Sequence, residues 1–334
     1  MGGLSLEGRR LLALASRSRA ACGLALDGRL VVTEAASGAY ACTSVLAAMA
    51  GADVVALAKP SRYGSVQEIR EWTGHLARAA GVENRVTVVE ALSADLLGDA
   101  DVVTNSGHLR PLDAAFVQQL KPGAVVPLMM EAWEVAVGRV DVDLDALTRR
   151  GIRFAGTNER NPAVGVFEYL GVMAVKLLTD AKVSVQATRL TLVCDNPFAP
   201  YLLKTLRACG AEVSHITTPQ ALMTGPPADA VLVALTPTDG VRVTSADLAA
   251  LGRHSPGVVL AQFFGDVDRT AAQSSGVVCW PDQAPPHGHM GVLPSDIGPE
   301  PVVRLQAGGL RVAQVLLKAE EDRTPADLEF LDVL

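Results

Sequence analysis

The feature that most narrows the folds open to this chain is a repeated alternation of short runs, apolar on both faces, with stretches of helical character. Six such runs come first: "RLVVTEA", "ADVVALA", "RVTVVEA", "ADVVTNS", "GAVVPLM" and "GIRFAGT", between Arg29 and Thr157. A strand that is apolar on both faces has to be covered on both, as in a parallel sheet flanked by helices. Amphipathic or apolar stretches separate the runs, at Thr43–Ala50, Ser65–Ala80, Leu112–Leu120 and Leu144–Arg150. After a long helix candidate, Pro162–Thr179, the alternation restarts with "RLTLVCD", "AEVSHIT", "ADAVLVALT", "GVVLAQFF" and "GVVCW". Two Rossmann-like, doubly wound parallel-sheet α/β domains with a cleft between them satisfy this order most economically. The first domain is expected at residues 1–165, completed by a C-terminal helix within 300–334, and the second at 166–299.

With 334 residues, 49% hydrophobic and 19% charged, the chain has enough apolar content for two cores and too much for disorder. Its formal charge of −7 disfavours nucleic acid and anionic membrane as partners, because both need a clustered excess of Lys and Arg. A small-molecule ligand is the expectation. The five cysteines, Cys22, Cys42, Cys194, Cys209 and Cys279, show no paired metal spacing and read as reduced thiols in small core sites. The first residues lack the continuous apolar core of a secretory signal, and no apolar run reaches the roughly 18 residues of a membrane span, so a cytoplasmic protein is expected.

The stretch "VDLDALTRRGIRFAGTNERNPAVGVFEYLGVMAVKLL", followed by a β-α-β unit and "ADAVLVALTPTDGVRVTSADLAALGRHSPGVVLAQFFGDVD", resembles the D-2-hydroxyacid dehydrogenase superfamily. The resemblance covers Val140 to Gly291 in order of elements, together with the terminal helix, Val302–Glu321, that would return to the first domain. It implies oxidoreduction of a small 2-hydroxy or 2-oxo acid with NAD or NADP, and His289 in "HGHMG" as counterpart of the family's catalytic histidine. The implied cofactor contacts are Asp195, Asn196, Thr217, Gly265 and Asp266. Three departures stand against a simple transfer. The phosphate-binding turn, Gly-x-Gly-x-x-Gly in the family, reads Cys194-Asp195-Asn196-Pro197-Phe198-Ala199-Pro200, and neither proline has an amide to offer a pyrophosphate. The next strand ends in "HITTP" without the acidic residue that holds ribose hydroxyls, and the strand that usually delivers a substrate arginine ends in Phe264-Gly265-Asp266.

The first half offers a competing cofactor site. There "LVVTEAASGAYACTSVLAAMAGADVVALAKPSRYGS" gives a strand, a small-residue turn around Ser37, Gly38 and Ala39, a helix and a second strand. Further on, "ARAAGVENRVTVVEA" is similar to a stretch of S-adenosylmethionine-dependent methyltransferases, which implies that cofactor as the alternative. The small residues also suit tight packing of helix on sheet. Lys59 and Arg62 after the second strand suit a phosphate or carboxylate.

Polar residues gather where three strands end. "TNSGHLRP" supplies Asn105, Ser106, His108 and Arg110; "MMEAWE" supplies Glu131 and Glu134; "GTNERNP" supplies Asn158, Glu159 and Arg160. Open α/β sheets bind ligands beyond the carboxyl ends of their strands, so these residues form one candidate site. In it His289, His108 and Glu131 would do acid–base work, and Asn105, Ser106, Arg110, Glu134, Asn158, Glu159 and Arg160 would hold substrate. Each segment can also be an ordinary loop capping the helix that follows. His287 and His289 lack acidic or cysteine neighbours at ligand spacing, so no metal is expected. Asp296 either orients His289 or caps the terminal helix region, and Glu168, in a helix read as buried after the junction, is expected to be a structural or cleft-lining carboxylate rather than a solvated one.

Two function classes follow. One is a biosynthetic oxidoreductase of a small polar carboxylate; the other is a non-redox protein on the same scaffold, either group-transferring or ligand-binding and regulatory. The first residues add an amphipathic helix whose Leu4, Leu6, Leu11, Leu12 and Leu14 need an apolar partner, in their own domain or in a homodimer.

Overall fold

The computed structural model describes residues 4–61, 63–136 and 141–333. The chain divides into two compact units, Met1–Val166 with Gly298–Leu334 and Phe167–Ile297. Both are Rossmann-like α/β units.

Unit 1 is built on strands β1 (Leu30–Glu34), β2 (Asp53–Leu57), β3 (Val86–Val89), β4 (Val102–Val103), β5 (Val125–Pro127) and β6 (Arg153–Thr157). Unit 2 carries β7 (Arg189–Cys194), β8 (Glu212–Ile216), β9 (Ala230–Ala234), β10 (Val259–Phe264) and β11 (Val278–Trp280), and unit 1 is completed by β12 (Leu331–Asp332). All eleven sequence runs become strands. In unit 1 the order is β12-β6-β5-β4-β1-β2-β3, parallel except where β12 runs antiparallel beside β6. In unit 2 the order is β11-β10-β9-β7-β8, parallel throughout.

The two faces of the first sheet are covered by residues far apart in sequence. Helix Cys42–Met49 is mostly apolar, and buried nearly all round, because it packs on the sheet and against helices Leu6–Cys22 and Glu300–Leu317. The C-terminal helix Glu300–Leu317 buries Val303, Ala307, Leu310 and Ala313 in the same core as Val31, Val54 and Val125. Its backbone lies close to the sheet: a Cβ at Gly309 would fall 1.8 Å from Met129 Sδ, and one at Gly308 would fall 2.7 Å from Val164 Cγ2. Leu11 and Leu14 of the first helix are buried in this core, while Leu6 stays exposed, so the unit itself takes up most of that apolar face.

Two helix bounds differ from the sequence reading. The candidate at Pro162–Thr179 becomes a turn, a short 3-10 segment Phe167–Tyr169, and a helix only from Leu170 to Asp180. Side-chain competition explains the delay: Asn161 Oδ1 accepts the Ala163 N–H at 2.9 Å, and Gly165 turns the backbone at φ +54. Glu168, expected there as a structural or cleft-lining carboxylate rather than a solvated one, is exposed and accepts from Lys204 at 3.0 Å, because the 3-10 segment turns it outward. The terminal helix stops at Leu317 rather than Glu321, and Lys318 turns away to reach Asp327 at 2.7 Å.

Asp327 fastens the last segment of unit 1. Its carboxylate is 1% exposed and accepts from Arg311 at 2.6 Å, Lys318 at 2.7 Å and the Thr324 hydroxyl and N–H at 2.9 Å each. Burial works against its ionisation, but the bonds from Lys318 and Thr324 and the charge of Arg311 outweigh it and hold the carboxyl at about 2. A depressed carboxyl contributes stability above its unfolded value, roughly 4, and loses it as pH falls toward 2. Asp327→Ala removes the buried acceptor of two half-buried cations and of Thr324 and should cost about 1.5–3 kcal/mol in urea unfolding at pH 7. The wild type should also lose stability between pH 4 and 2 more steeply than the variant. A cost at pH 7 under about 1 kcal/mol would contradict this account.

Candidate active site

In the first sheet the connections reverse between β1 and β4, and ligands of open α/β sheets settle at such a reversal, beyond the carboxyl ends of the strands. What ends these two strands is polar. The hydroxyls of Thr33, Thr104 and Ser106 form a buried triangle, with 2.8 Å from Thr33 to Thr104, 2.7 Å from Thr104 to Ser106 and 3.3 Å from Thr33 to Ser106. Asn105 Oδ1 accepts the Met129 N–H at 2.8 Å, which ties the end of β4 to the residues after β5.

Beside the triangle lies Glu34, the last residue of β1, only 5% exposed. Its carboxyl occupies a notch that only glycine can leave: Gly107 sits at φ +44, and a Cβ there would fall 1.3 Å from Glu34 Oε2. Burial pushes the Glu34 carboxyl up to about 7, against the charge of Arg110 and the N–H that His108 donates. The His108 imidazole is pushed the other way, first by burial and then by the charges of Lys59 and Arg110. The Glu34 carboxyl thus meets the backbone of His108, whose own imidazole is displaced the other way, and oppositely displaced groups at one strand end mark a candidate site. Arg110 itself is engaged, since its Nη1 donates to Asp141 at 2.7 Å. Glu34 escaped the sequence reading because it stands in a strand read for its apolar residues. The available signal was a lone acid closing "LVVTE" just before a turn of small residues.

The ends of β5 and β6 form a second cluster on the same edge. Glu131, 2% exposed, accepts from Trp133 Nε1 at 2.8 Å, Arg160 Nε at 3.2 Å and the Glu159 N–H at 3.3 Å. Burial raises its carboxyl, while the Trp133 bond and the Arg160 charge pull it back. Glu134 Oε1 accepts the Glu131 N–H at 3.2 Å, and Asn158 joins the turn to the C-terminal segment by donating to the Glu329 carbonyl at 2.9 Å. Glu131 therefore clamps two strand ends together. The structure gathers Asn105, Ser106 and His108 at β4, and Glu131, Glu134, Asn158, Glu159 and Arg160 at β5 and β6.

In unit 2 the turn after β7 is occupied by its own residues. Asn196 Oδ1 accepts the Phe198 N–H at 3.1 Å, and Asn196 Nδ2 donates to the Ala234 carbonyl at 2.8 Å. The Ala199 N–H is bonded to the Asn196 carbonyl at 3.3 Å, and Pro197 and Pro200 have none to give. Asp195 accepts from Thr236 N at 2.8 Å and Arg242 Nη2 at 2.8 Å. Phe198 is buried with its ring 5.3 Å from that of Phe167 and 5.8 Å from that of Phe264. A pyrophosphate requires donating amides and no competing carboxylate, so this turn does not fit one. Thr217 is exposed past β8, and Gly265 turns at φ +87 against the Leu235 carbonyl.

Of the two loop histidines, His287 has the carboxylate partner, with Nδ1 2.7 Å from Asp266 Oδ2. His289 is exposed and bonds the His287 carbonyl through Nδ1 at 3.0 Å. Asp296 closes its own turn by accepting the Leu293 N–H at 2.8 Å. Among the described residues no group of three or more His, Cys, Asp or Glu is placed to hold a metal, and no helix is long and apolar enough to cross a membrane.

No protein-family model matches the chain, and no curated protein matches its sequence. Solved structures do match its fold. A dipicolinate synthase component from Bacillus halodurans aligns with a TM-score of 0.56 at 10% identity, over 88% of this chain and 100% of that one. A dipicolinate synthase chain from Bacillus subtilis gives 0.55 at 10% identity, over 85% and 95%. A transhydrogenase from Sinorhizobium meliloti gives 0.50 at 13% identity, over 91% and 98%. Structural neighbours of this chain fall in the D-2-hydroxyacid dehydrogenase-like superfamily at low identity, and its fold is theirs.

Proposed function

We propose that this chain is an oxidoreductase of a small carboxylate-bearing substrate, with NADP held by unit 1 rather than by the inserted unit. The observation that carries the reading is the polar cluster at the β1/β4 reversal, where buried Glu34, set against Gly107, lies at the same strand ends as the Thr33, Thr104 and Ser106 hydroxyls and His108. A dinucleotide across such a reversal lays its pyrophosphate on the turn after β1 and its adenosine ribose by the end of β2. The turn in unit 1 suits this better than the one in unit 2. Ala36–Ala41 is made of small residues and a tyrosine, the helical turn begins at Gly38, and nothing lies within 4 Å of where a Gly38 Cβ would be. At the end of β2 stands exposed Lys59 in place of an acid, which favours the extra phosphate of NADP over the bare ribose of NAD. Arg62 lies outside the described residues.

Bound there, a nicotinamide supplies or accepts the hydride. The chain's own residues would do the rest: the Ser106 and Thr104 hydroxyls orient a polar substrate, and neutral His108 beside Glu34 moves the proton. A biosynthetic role accords with the synthase names of two structural relatives. The S-adenosylmethionine alternative draws no support from the relatives. A second reading, a non-redox ligand-binding protein on the same scaffold, is favoured by the self-bonded turn of unit 2.

Calorimetric titration separates the two readings. NADP should bind roughly tenfold or more tightly than NAD, the equivalent of one charge-assisted contact, and Lys59→Ala should erase the difference. Equal affinities, or no binding of either dinucleotide, would refute NADP chemistry on unit 1 and leave the ligand-binding reading.

A further inference from the structure

The Glu34 carboxyl is an unusual group to bury at the mouth of a site read as anion-binding. Its surroundings give it one backbone donor, the His108 N–H, and a notch opposite Gly107. Three hydroxyls lie at the same strand ends; the charge of Lys59 reaches the His108 imidazole, and that of Arg110, which Asp141 already holds, reaches Glu34. A small anion arriving at the strand-end hydroxyls would bring a second negative charge close to Glu34. Two carboxylates at such range cannot both remain ionised in a buried site, so they share a proton.

We propose that unit 1 carries a subsite for a small carboxylate in which Glu34, in its protonated form, donates its O–H to the ligand carboxylate while Lys59 balances the ligand's charge. The ligand binds as the anion, Glu34 takes one proton from solvent as it does so, and no bond other than that O–H is made or broken. This deepens the function proposed above by naming what holds the substrate's acid group. It rests on unit 1 being the ligand-binding unit and does not require NADP.

The titratable groups around Glu34 are Cys42 and His108. On the helix after β1, Cys42 is pushed up to about 12 by burial. At the β4 end, His108 is displaced downward by burial and by Lys59 and Arg110. Lysine and arginine side chains are cations throughout neutral pH. His108, neutral by the same displacement, is the other group that an arriving anion can protonate, and the Glu34→Gln variant assigns the proton between the two.

Oxalate serves as the probe, titrated calorimetrically into the full chain in two buffers of different ionisation heat. Above pH 7 the wild type should take up close to one proton per oxalate, with affinity falling about tenfold per pH unit. Glu34→Gln should bind with a flat pH profile, and Lys59→Ala should weaken oxalate while retaining proton uptake. Carbon-13 resonances of glutamate carboxyls in the wild type give a readout independent of the variants. One should titrate near neutrality and move upward when oxalate saturates the protein. Absence of oxalate binding, binding without proton uptake, or an unchanged profile in Glu34→Gln would each overturn the subsite. If Glu34→Gln fails to fold, the wild-type resonance and Lys59→Ala still decide. Oxalate behaving as described while NADP fails to bind would sink the dinucleotide reading alone.

Discussion

The packing of the C-terminal helix against the first sheet is the constraint on which unit 1 depends. A parallel sheet exposes two apolar faces, and no neighbouring segment in sequence can cover both. Here part of the cover comes from Glu300–Leu317, on the far side of an entire inserted unit. Its two consecutive glycines let it approach Met129 and Val164, and Gln306 Oε1 accepts from the Thr43 hydroxyl at 2.9 Å inside the core. The same return lets β12 add to the edge of β6, and from β12 Asp332 Oδ2 accepts the Ala132 N–H at 2.6 Å. Closing the fold and setting the β5 and β6 ends of the candidate site are one event.

Along that edge the polar residues differ in how far they are committed. Glu131 is saturated by Trp133, Glu159 and Arg160, and Arg110 is turned toward Asp141, so these charges hold the loops in place. Glu34 and His108 are displaced from their ordinary ionisation, and that displacement shows how little in the fold compensates them. A fold under selection for stability alone would place an apolar residue at position 34, because a buried acid without a strong partner costs free energy. The burden is retained beside a strand reversal, where ligands settle.

How much of this was legible in the sequence follows from the range of the interactions. Strand identity is a local pattern, and "ADAVLVALT" declares a buried parallel strand without reference to any other residue. Strand-end polarity is local too, which is why Asn105, Ser106, His108, Glu131 and Arg160 were visible as candidates. Whether such a residue is free for a ligand or spent on its neighbours is set by partners far away, as with Arg110 and Asp141, 31 positions apart. The start of the helix at Leu170 was hidden for a related reason: the Asn161 side chain competes for backbone amides that the apolar spacing assigns to a helix. Glu34 was hidden differently. Its meaning lies in the missing side chain of Gly107, and a notch made by an absent atom leaves no pattern in a sequence.

The contrast between the two sheets gives the degenerate turn of unit 2 its physical sense. In a glycine-type turn the free amides wait for a phosphate, and the unligated loop bears unsatisfied donors. The Asp195–Pro200 turn supplies its own acceptors and removes two donors, and Phe198 fills the space beneath with aromatic contacts to Phe167 and Phe264. Unit 2 therefore closes without help from a ligand. Its parallel sheet, with all five residues of β9 buried, is kept by the same covering requirement as before, whatever the turn after β7 holds. A self-bonded turn costs the scaffold nothing, because the residues that close the turn and the residues that cover the sheet are different sets.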